Sequence, residues 1–160
     1  MLRPATPADI PDILRLVRDL ATYEREPDAV TATEDDLRAA LFPSGHEAKA
    51  FCEVAEVDGR VVGIALWFLN FSTWLGKHGI YLEDLYVEPA YRGHGIGKAF
   101  LVELARKCVA NDWPRFQWWV LDWNAASIEF YRALGAEAQD EWTVMRVSGD
   151  ALPRLAALGD

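Results

Sequence analysis

Apolar residues recur along the first part of the chain at three- and four-residue steps, Ile10, Ile13, Leu14, Val17 and Leu20, the spacing that gathers side chains on one face of a helix. Thr6 ahead of Pro7 supplies an N-cap and a proline at the first helical position, so the pattern predicts a helix over residues 7–23, with Pro11 in its first turns, where a missing N–H costs least. Residues 2–4 read as a short extended piece, and residues 24–32, polar and carrying Pro27, as a loop. Thr33 ahead of Glu34, Asp35 and Asp36 starts a second, short helix that buries Leu37, Leu41 and Phe42 and ends at Pro43 to Gly45. The period then changes. Residues 50–57 and 60–71, rich in Val, Ile, Phe and Trp, flank Asp58-Gly59, a strong hairpin signal, and are predicted to pair antiparallel. Residues 70–79, interrupted by Gly76 and Gly79, read as a loop that keeps Phe71, Trp74 and Leu75. Residues 80–87 form the next strand, stopped by Glu88-Pro89, and Leu101, Leu104, Ala105 and Cys108 mark a helix over 97–111. The continuous apolar run 116–121 reads as a buried strand. Asn124 caps a helix over 125–134 that Gly135 terminates. Strands near 137–139 and 142–147 and a terminal helix near 149–158 complete the chain. Strand, helix, strand order around residues 88–100 implies one parallel pairing in an otherwise antiparallel sheet.

Composition narrows the class. With 160 residues, 51% of them hydrophobic, and no linker-like break, the chain is expected to form one domain over residues 1–160. A net charge of -9 at pH 7 argues against binding nucleic acid or anionic membrane and favours cationic amines, or serves solubility alone. Cys52 and Cys108 stand far apart with no C-x-x-C and no histidine cluster, so neither a disulfide framework nor a metal site is expected, and a reducing compartment is. No signal segment opens the sequence and no run approaches a membrane span, so a soluble cytoplasmic protein is expected.

The chemistry concentrates where residues 80–87 give way to Arg92, Gly93, His94, Gly95, Ile96, Gly97 and Lys98. Glycines just ahead of a helix let successive N–H groups converge, and the helix dipole adds its field, which makes an anion site, most simply one for phosphate. Arg92 at its mouth supplies a planar, multi-donor cation. Two competing motifs fail on spacing. Gly93, Gly95 and Gly97 alternate, where a dinucleotide fingerprint needs two residues between its second and third glycines. Gly97-Lys98 is followed by Ala99, which has no hydroxyl for a P-loop magnesium.

What fits is Arg-Gly-x-Gly-Ile-Gly, which resembles the pyrophosphate loop of the GNAT N-acetyltransferases. Residues 81–87 (Tyr-Leu-Glu-Asp-Leu-Tyr-Val), 91–97 (Tyr-Arg-Gly-His-Gly-Ile-Gly) and 119–124 (Trp-Val-Leu-Asp-Trp-Asn), with Phe130-Tyr131 and Leu134-Gly135, are similar to the diamine (spermidine/spermine) acetyltransferase-like branch over nearly the whole chain. The resemblance implies an α/β (α+β) fold, the GNAT acyl-CoA N-acyltransferase fold, with a mixed, mostly antiparallel central sheet flanked by helices and splayed between strands 4 and 5. It also implies acetyl-CoA as cosubstrate without a metal, a small-molecule primary amine as acceptor, direct attack in a ternary complex, and a homodimer. Carried over residue by residue, the cofactor contacts fall on Leu85, Tyr86, Val87, the loop Arg92 to Lys98, Asn124, Ser127 and Tyr131. Acceptor contacts fall on Tyr23, Trp74, Glu83 and Asp84.

The reaction needs three things of these side chains. An amine of lysine type, ordinarily protonated up to about pH 10.4, must lose a proton. Glu83 matches the acidic residue to which the family assigns this step, directly or through water. In a regular strand Glu83 and Asp84 point to opposite faces and cannot both meet one amine. The thioester oxygen needs donors, which the family takes from a distortion of the central strand, by position near Leu85 or Tyr86. The departing thiolate needs a proton, and Tyr131 stands at the family's general-acid position, with Asn124 upstream suited to the pantetheine arm. Trp74 and its neighbours either line a pocket for an aliphatic amine or anchor a loop on the core. Ser72-Thr73 stand where the polyamine enzymes carry an acidic residue, which argues against polyamine specificity and leaves a lysine analogue or another small amine. A protein acetyltransferase and a non-catalytic CoA-binding module are the competing readings.

Overall fold

A computed structural model describes residues 1–159. By the density of internal contacts the chain divides into two compact units, Met1–Trp119 and Val120–Asp160.

The first unit is built on five strands in the order β1 (Leu2–Pro4), β2 (Ala50–Val57), β3 (Arg60–Ser72), β4 (Lys77–Val87) and β5 (Phe116–Gln117). All neighbours run antiparallel except β4 and β5, which are parallel, as expected. Between β1 and β2 lie α1 (Ile10–Tyr23) and α2 (Glu34–Leu41), and between β4 and β5 lies α3 (Ile96–Ala110). The expected first helix opens with a tighter 3-10 turn, Pro7–Asp9. There the Asp9 carboxylate accepts from Thr6 N at 2.7 Å and from Thr6 Oγ1 at 2.8 Å, and Arg3 grips it with two further bonds of 2.8 Å. Thr33 and Asp36 cap α2 reciprocally, each satisfying a donor that a helix start leaves without a partner. One face of the sheet is covered by α1 and α2, whose Ile10, Ile13, Leu16 and Leu41 pack with Cys52, Val54, Val61, Ile64 and Tyr86. On α3, Phe100 and Leu104 are fully buried, and Phe100 comes so near β3 that a Cβ on Gly63 would lie 3.3 Å from its ring. Both cysteines are free and buried.

Three expectations need correcting. Residues 70–79 are not a loop: β3 runs to Ser72 and β4 starts at Lys77, leaving a turn of residues 73–76 with Gly76 at φ 63°. The Phe71 and His78 rings meet edge-on across this extension, 5.3 Å apart, and Lys77 pairs with Asp112. Gly79 is there for space, because a Cβ would sit 2.4 Å from Arg115 O, the carbonyl that accepts from Ile80 N at 2.9 Å where β5 joins the sheet. Second, the run 116–121 is strand only over Phe116–Gln117, paired with Ile80 and Tyr81. Beyond them β4 carries a bulge, and a bulged strand bends out of line with its neighbour. Trp119 instead meets the Tyr81 ring edge-on at 5.7 Å and stays half exposed.

The third correction lies in the second unit. It contains α4 (Ala125–Ala133) and α5 (Ala151–Ala156), the latter extended by a 3-10 turn, Ala157–Gly159. The strands expected near 137–139 and 142–147 do not form. The apolar alternation there is strand-like, but a strand exists only with a ladder partner for its N–H and C=O groups. Trp142, Val144, Met145 and Val147 are exposed.

Candidate active site

The bulge in β4 organises the first unit's site. Trp67 pairs with Leu82 and its neighbour Leu66 with Asp84, so Glu83 is the extra residue. An inserted residue resets the alternation of faces. Tyr86 packs with α1, Asp84 stands two residues before it on the same side of the strand, and Glu83 is the residue inserted between Leu82 and Asp84. The alternation that would send Glu83 and Asp84 to opposite faces of a regular strand does not apply across an inserted residue. The central strand is thus distorted at Glu83, two to three residues before Leu85 and Tyr86, near which the free backbone donor is expected.

Charge gathers around the bulge. Glu83 is exposed and Asp84 half-buried. Burial, then the charges of Glu83 and Glu24, push the Asp84 carboxyl up to about 6. Glu24 follows the last residue of α1, where the helix dipole is negative, and its own carboxyl is raised by burial. Two carboxylates thus act on a third, Asp84, to which no cation is bonded among the described residues, a field suited to an ammonium group. Sequence reasoning missed Glu24 because it reads as an ordinary loop residue; its position directly after Tyr23 was the available signal.

Beyond β4 the chain turns through Pro89–Tyr91 into Arg92. Arg92 Nε donates to Val87 O at 2.8 Å, and its guanidinium lies over the Tyr23 ring at 5.0 Å and the Tyr86 ring at 5.3 Å. Tyr23, Tyr86 and Arg92, with Asp19, Thr22 and Pro89, border a recess of about 280 Å³. A larger one, about 350 Å³, runs along α2 past Arg38, Phe42 and His46 and includes none of the expected site residues. Gly93 and Gly95 take φ of 78° and 82°, left-handed values that disfavour any residue with a Cβ. Nothing lies within 4 Å of where a Cβ would be at either, so conformation and not crowding requires glycine there. Gly97 is helical, since α3 begins at Ile96. The Ala99 amide bonds Gly95 O at 2.9 Å, which leaves the amides of Ile96, Gly97 and Lys98 without intrahelical acceptors. His94 and Lys98 are exposed beside them.

Trp74 is not brought to this group. It stands at the hairpin tip, 89% exposed, and Lys77 alone is six strand residues, roughly 20 Å, from Glu83. The longer hairpin is the reason.

In the second unit Asn124 caps α4, its Oδ1 accepting from Ser127 N at 3.3 Å. Asn124, Ser127, Ile128 and Tyr131 follow the i, i+3, i+4, i+7 rule of one helix face. They are the half-buried stripe of an otherwise exposed helix, and the Phe130 and Tyr131 rings lie 5.3 Å apart. Among the described residues no group of three or more His, Cys, Asp or Glu is placed to hold a metal, and no helix is long and apolar enough to cross a membrane.

A bulged strand carrying paired carboxylates and running into a glycine-opened helix is the arrangement of an acyl-CoA-dependent transferase. Residues 11–136 match the profile of the Acetyltransferase (GNAT) family, and the chain belongs to that family, in its diamine acetyltransferase-like branch. It is 39% identical to a thialysine N-epsilon-acetyltransferase of Bos taurus, over 98% of this chain and 96% of that protein. It is 31% identical to an L-ornithine N5-acetyltransferase of Arabidopsis thaliana, over 98% and 88%. Among solved structures, an integron cassette protein from the mobile metagenome of V. cholerae shares the fold with a TM-score of 0.81 at 23% identity, covering 98% of this chain and 97% of that one.

Proposed function

We propose that this acetyltransferase moves the acetyl group of acetyl-CoA to the primary amine of a small, lysine-like molecule. The observation that carries the reading is the bulge at Glu83 beside Asp84, whose carboxyl is acted on by Glu83 and Glu24, on the same strand that leads into the glycine loop. The named activities of the bovine and Arabidopsis relatives, on thialysine and ornithine, support an amino-acid acceptor over a polyamine; Ser72 and Thr73 stand at the far end of the β3–β4 hairpin with Trp74 and no longer bear on that choice.

The cofactor fits the residues present. Left-handed Gly93 and Gly95 and the unpaired amides at the start of α3 suit a diphosphate. From Leu82 onward the edge of β4 away from β3 has no β5 partner, so that Leu85 and Tyr86 suit an extended pantetheine arm beside Val87, whose carbonyl already accepts from Arg92; Asn124 and Ser127, at the start of α4, are suited to the same arm. Acetyl-CoA supplies the activated acyl group. The protein's own tasks are binding, orientation and two proton movements. The incoming ammonium would offset the repulsion that Glu83 and Glu24 exert on Asp84, and Glu83, exposed on the strand, would take its proton directly or through a water. Backbone N–H groups near the bulge would stabilise the oxygen on which charge develops, and Tyr131 would supply a proton to the departing thiolate. In this reading the two units are parts of one catalytic domain, a homodimer in the cytoplasm; the family match, which runs across both units, supports the first of these.

A thiol-release assay with acetyl-CoA and a panel of thialysine, lysine, ornithine, spermidine and a lysine-containing peptide tests the reading. Thiol release with the lysine-like amines is expected. Release with the peptide alone would reassign the protein to protein acetylation, and binding of acetyl-CoA without release on any amine would leave a non-catalytic module.

A further inference from the structure

We infer that Glu88 is a positioning residue for the cofactor loop, an inference that rests on the reading of residues 93–98 as the diphosphate site. Glu88 follows β4 directly and is 9% exposed, an unusual place for a carboxylate unless it is paired. Two arginines from different elements hold it. Arg15 of α1 donates at 2.5 Å to Oε1, and Arg60, the first residue of β3, donates to Oε1 at 2.9 Å and to Oε2 at 3.0 Å. Arg15 is itself fixed by Asp12 at 2.9 Å and by Val61 O at 2.9 Å. Although burial opposes ionisation, the two guanidinium groups outweigh it and hold the Glu88 carboxyl below its ordinary range.

The backbone carries this fixation forward. Glu88 N donates to Val62 O at 2.9 Å, Tyr91 N returns to Glu88 O at 2.9 Å, and Arg92 N bonds Pro89 O at 3.2 Å, while Arg92 Nε bonds Val87 O. Every residue from 87 to 92 except Ala90 therefore takes part in a closed set of bonds whose anchor is the Glu88 carboxylate. The first residue past this bonded set is Gly93, and the amides that would meet a diphosphate come directly after it. Without the anchor, the turn and the glycines would sample many orientations, and ordering them would be charged against cofactor binding. The ion-pair hub thus prepays the order of the loop, and its effect should appear in cofactor affinity more than in the chemical step.

The test compares Glu88→Gln with Glu53→Gln. Glu53 is equally buried, 4% exposed, and pairs with Lys107 of α3 at 3.2 Å, so its loss weakens the fold without touching the loop. Both variants should melt at lower temperature. Only Glu88→Gln should raise the Kd and KM for acetyl-CoA, by about tenfold or roughly 1.4 kcal/mol, with kcat at saturating acetyl-CoA and the KM for the amine within about twofold of wild type. Unchanged acetyl-CoA affinity in Glu88→Gln, or an equal loss in Glu53→Gln, overturns the inference. If Glu88→Gln does not fold, Arg60→Gln, which removes two of the three side-chain bonds at a half-exposed position, should raise the Kd about threefold, and no change there overturns it as well. Wild-type protein that fails to bind acetyl-CoA would sink the diphosphate site itself, and this inference with it.

Discussion

Replacing Asp84 with asparagine should make the protein more stable at neutral pH and a poorer catalyst. Burial, followed by the charges of Glu83 and Glu24, raises the Asp84 carboxyl from its ordinary 3.8 to about 6. Between those two values the folded protein keeps a proton that the unfolded chain has released, so stability falls as pH rises through the window and the loss is complete above about pH 6. The difference between 3.8 and about 6 corresponds to about 3 kcal/mol at most, reduced by the solvent that still reaches the group. Asparagine has nearly the same shape and no charge, so it removes the penalty and keeps the volume. Unfolding in urea, followed from pH 3.5 to pH 8, should give coincident stabilities for wild type and Asp84→Asn near the acid end and a gap of up to about 3 kcal/mol in favour of the variant at pH 8. For a protein of this size that is roughly 6 to 12 °C in Tm. The same variant should bind an amine acceptor less well, because half of the paired charge at the bulge is gone. Parallel stability curves, or a variant less stable than wild type at pH 8, would refute the argument that this carboxylate is held ionised against its surroundings.

Tyr131→Phe should lower kcat by about 10²-fold or more, the scale of a lost general acid, with the Kd for acetyl-CoA nearly unchanged by calorimetry; an unaltered rate removes Tyr131 from the mechanism. Glu83→Gln should lower kcat/KM for the amine by a similar factor and leave the melting temperature almost where it was, since Glu83 is exposed; a large drop in Tm would make its role structural. Gly95→Val forces a β-branched residue to φ near 82°, at about 1 to 2 kcal/mol, and should weaken acetyl-CoA binding about tenfold, measured by the same titration. Equal affinity would show that the left-handed turn is not needed to aim the amides.

The glycine loop was legible because its signal is local: alternating glycines, a strand ahead and an apolar helix stripe behind. So were the hairpin at Asp58-Gly59 and the caps at Thr6, Thr33 and Asn124, each fixed by residues within a few positions of one another. What escaped depends on partners far along the chain. Gly79 looks like a loop breaker until Arg115 O is placed against it, and the run 116–121 looks like a strand until the bend in β4 ends the pairing. The bulge turns on one residue of register between β3 and β4, and strict alternation, the rule used to separate Glu83 from Asp84, does not carry across an inserted residue. Glu24 joins those carboxylates only through the packing of α1 on the sheet. The alternation in residues 142–147 is strand-like in sequence, but alternation reports a face and not a neighbour to bond with.

The two thiols bear on how such a protein survives its own chemistry. Cys52 is held protonated by burial, then by the negative charges of Glu53, Asp84 and Asp9, and burial raises Cys108 as well. Only a thiolate attacks a thioester or a disulfide. A molecule that handles an activated acyl group on every turnover, and releases a free sulfhydryl each time, therefore carries no sulfur of its own that would be mis-acylated or drawn into a mixed disulfide with its product.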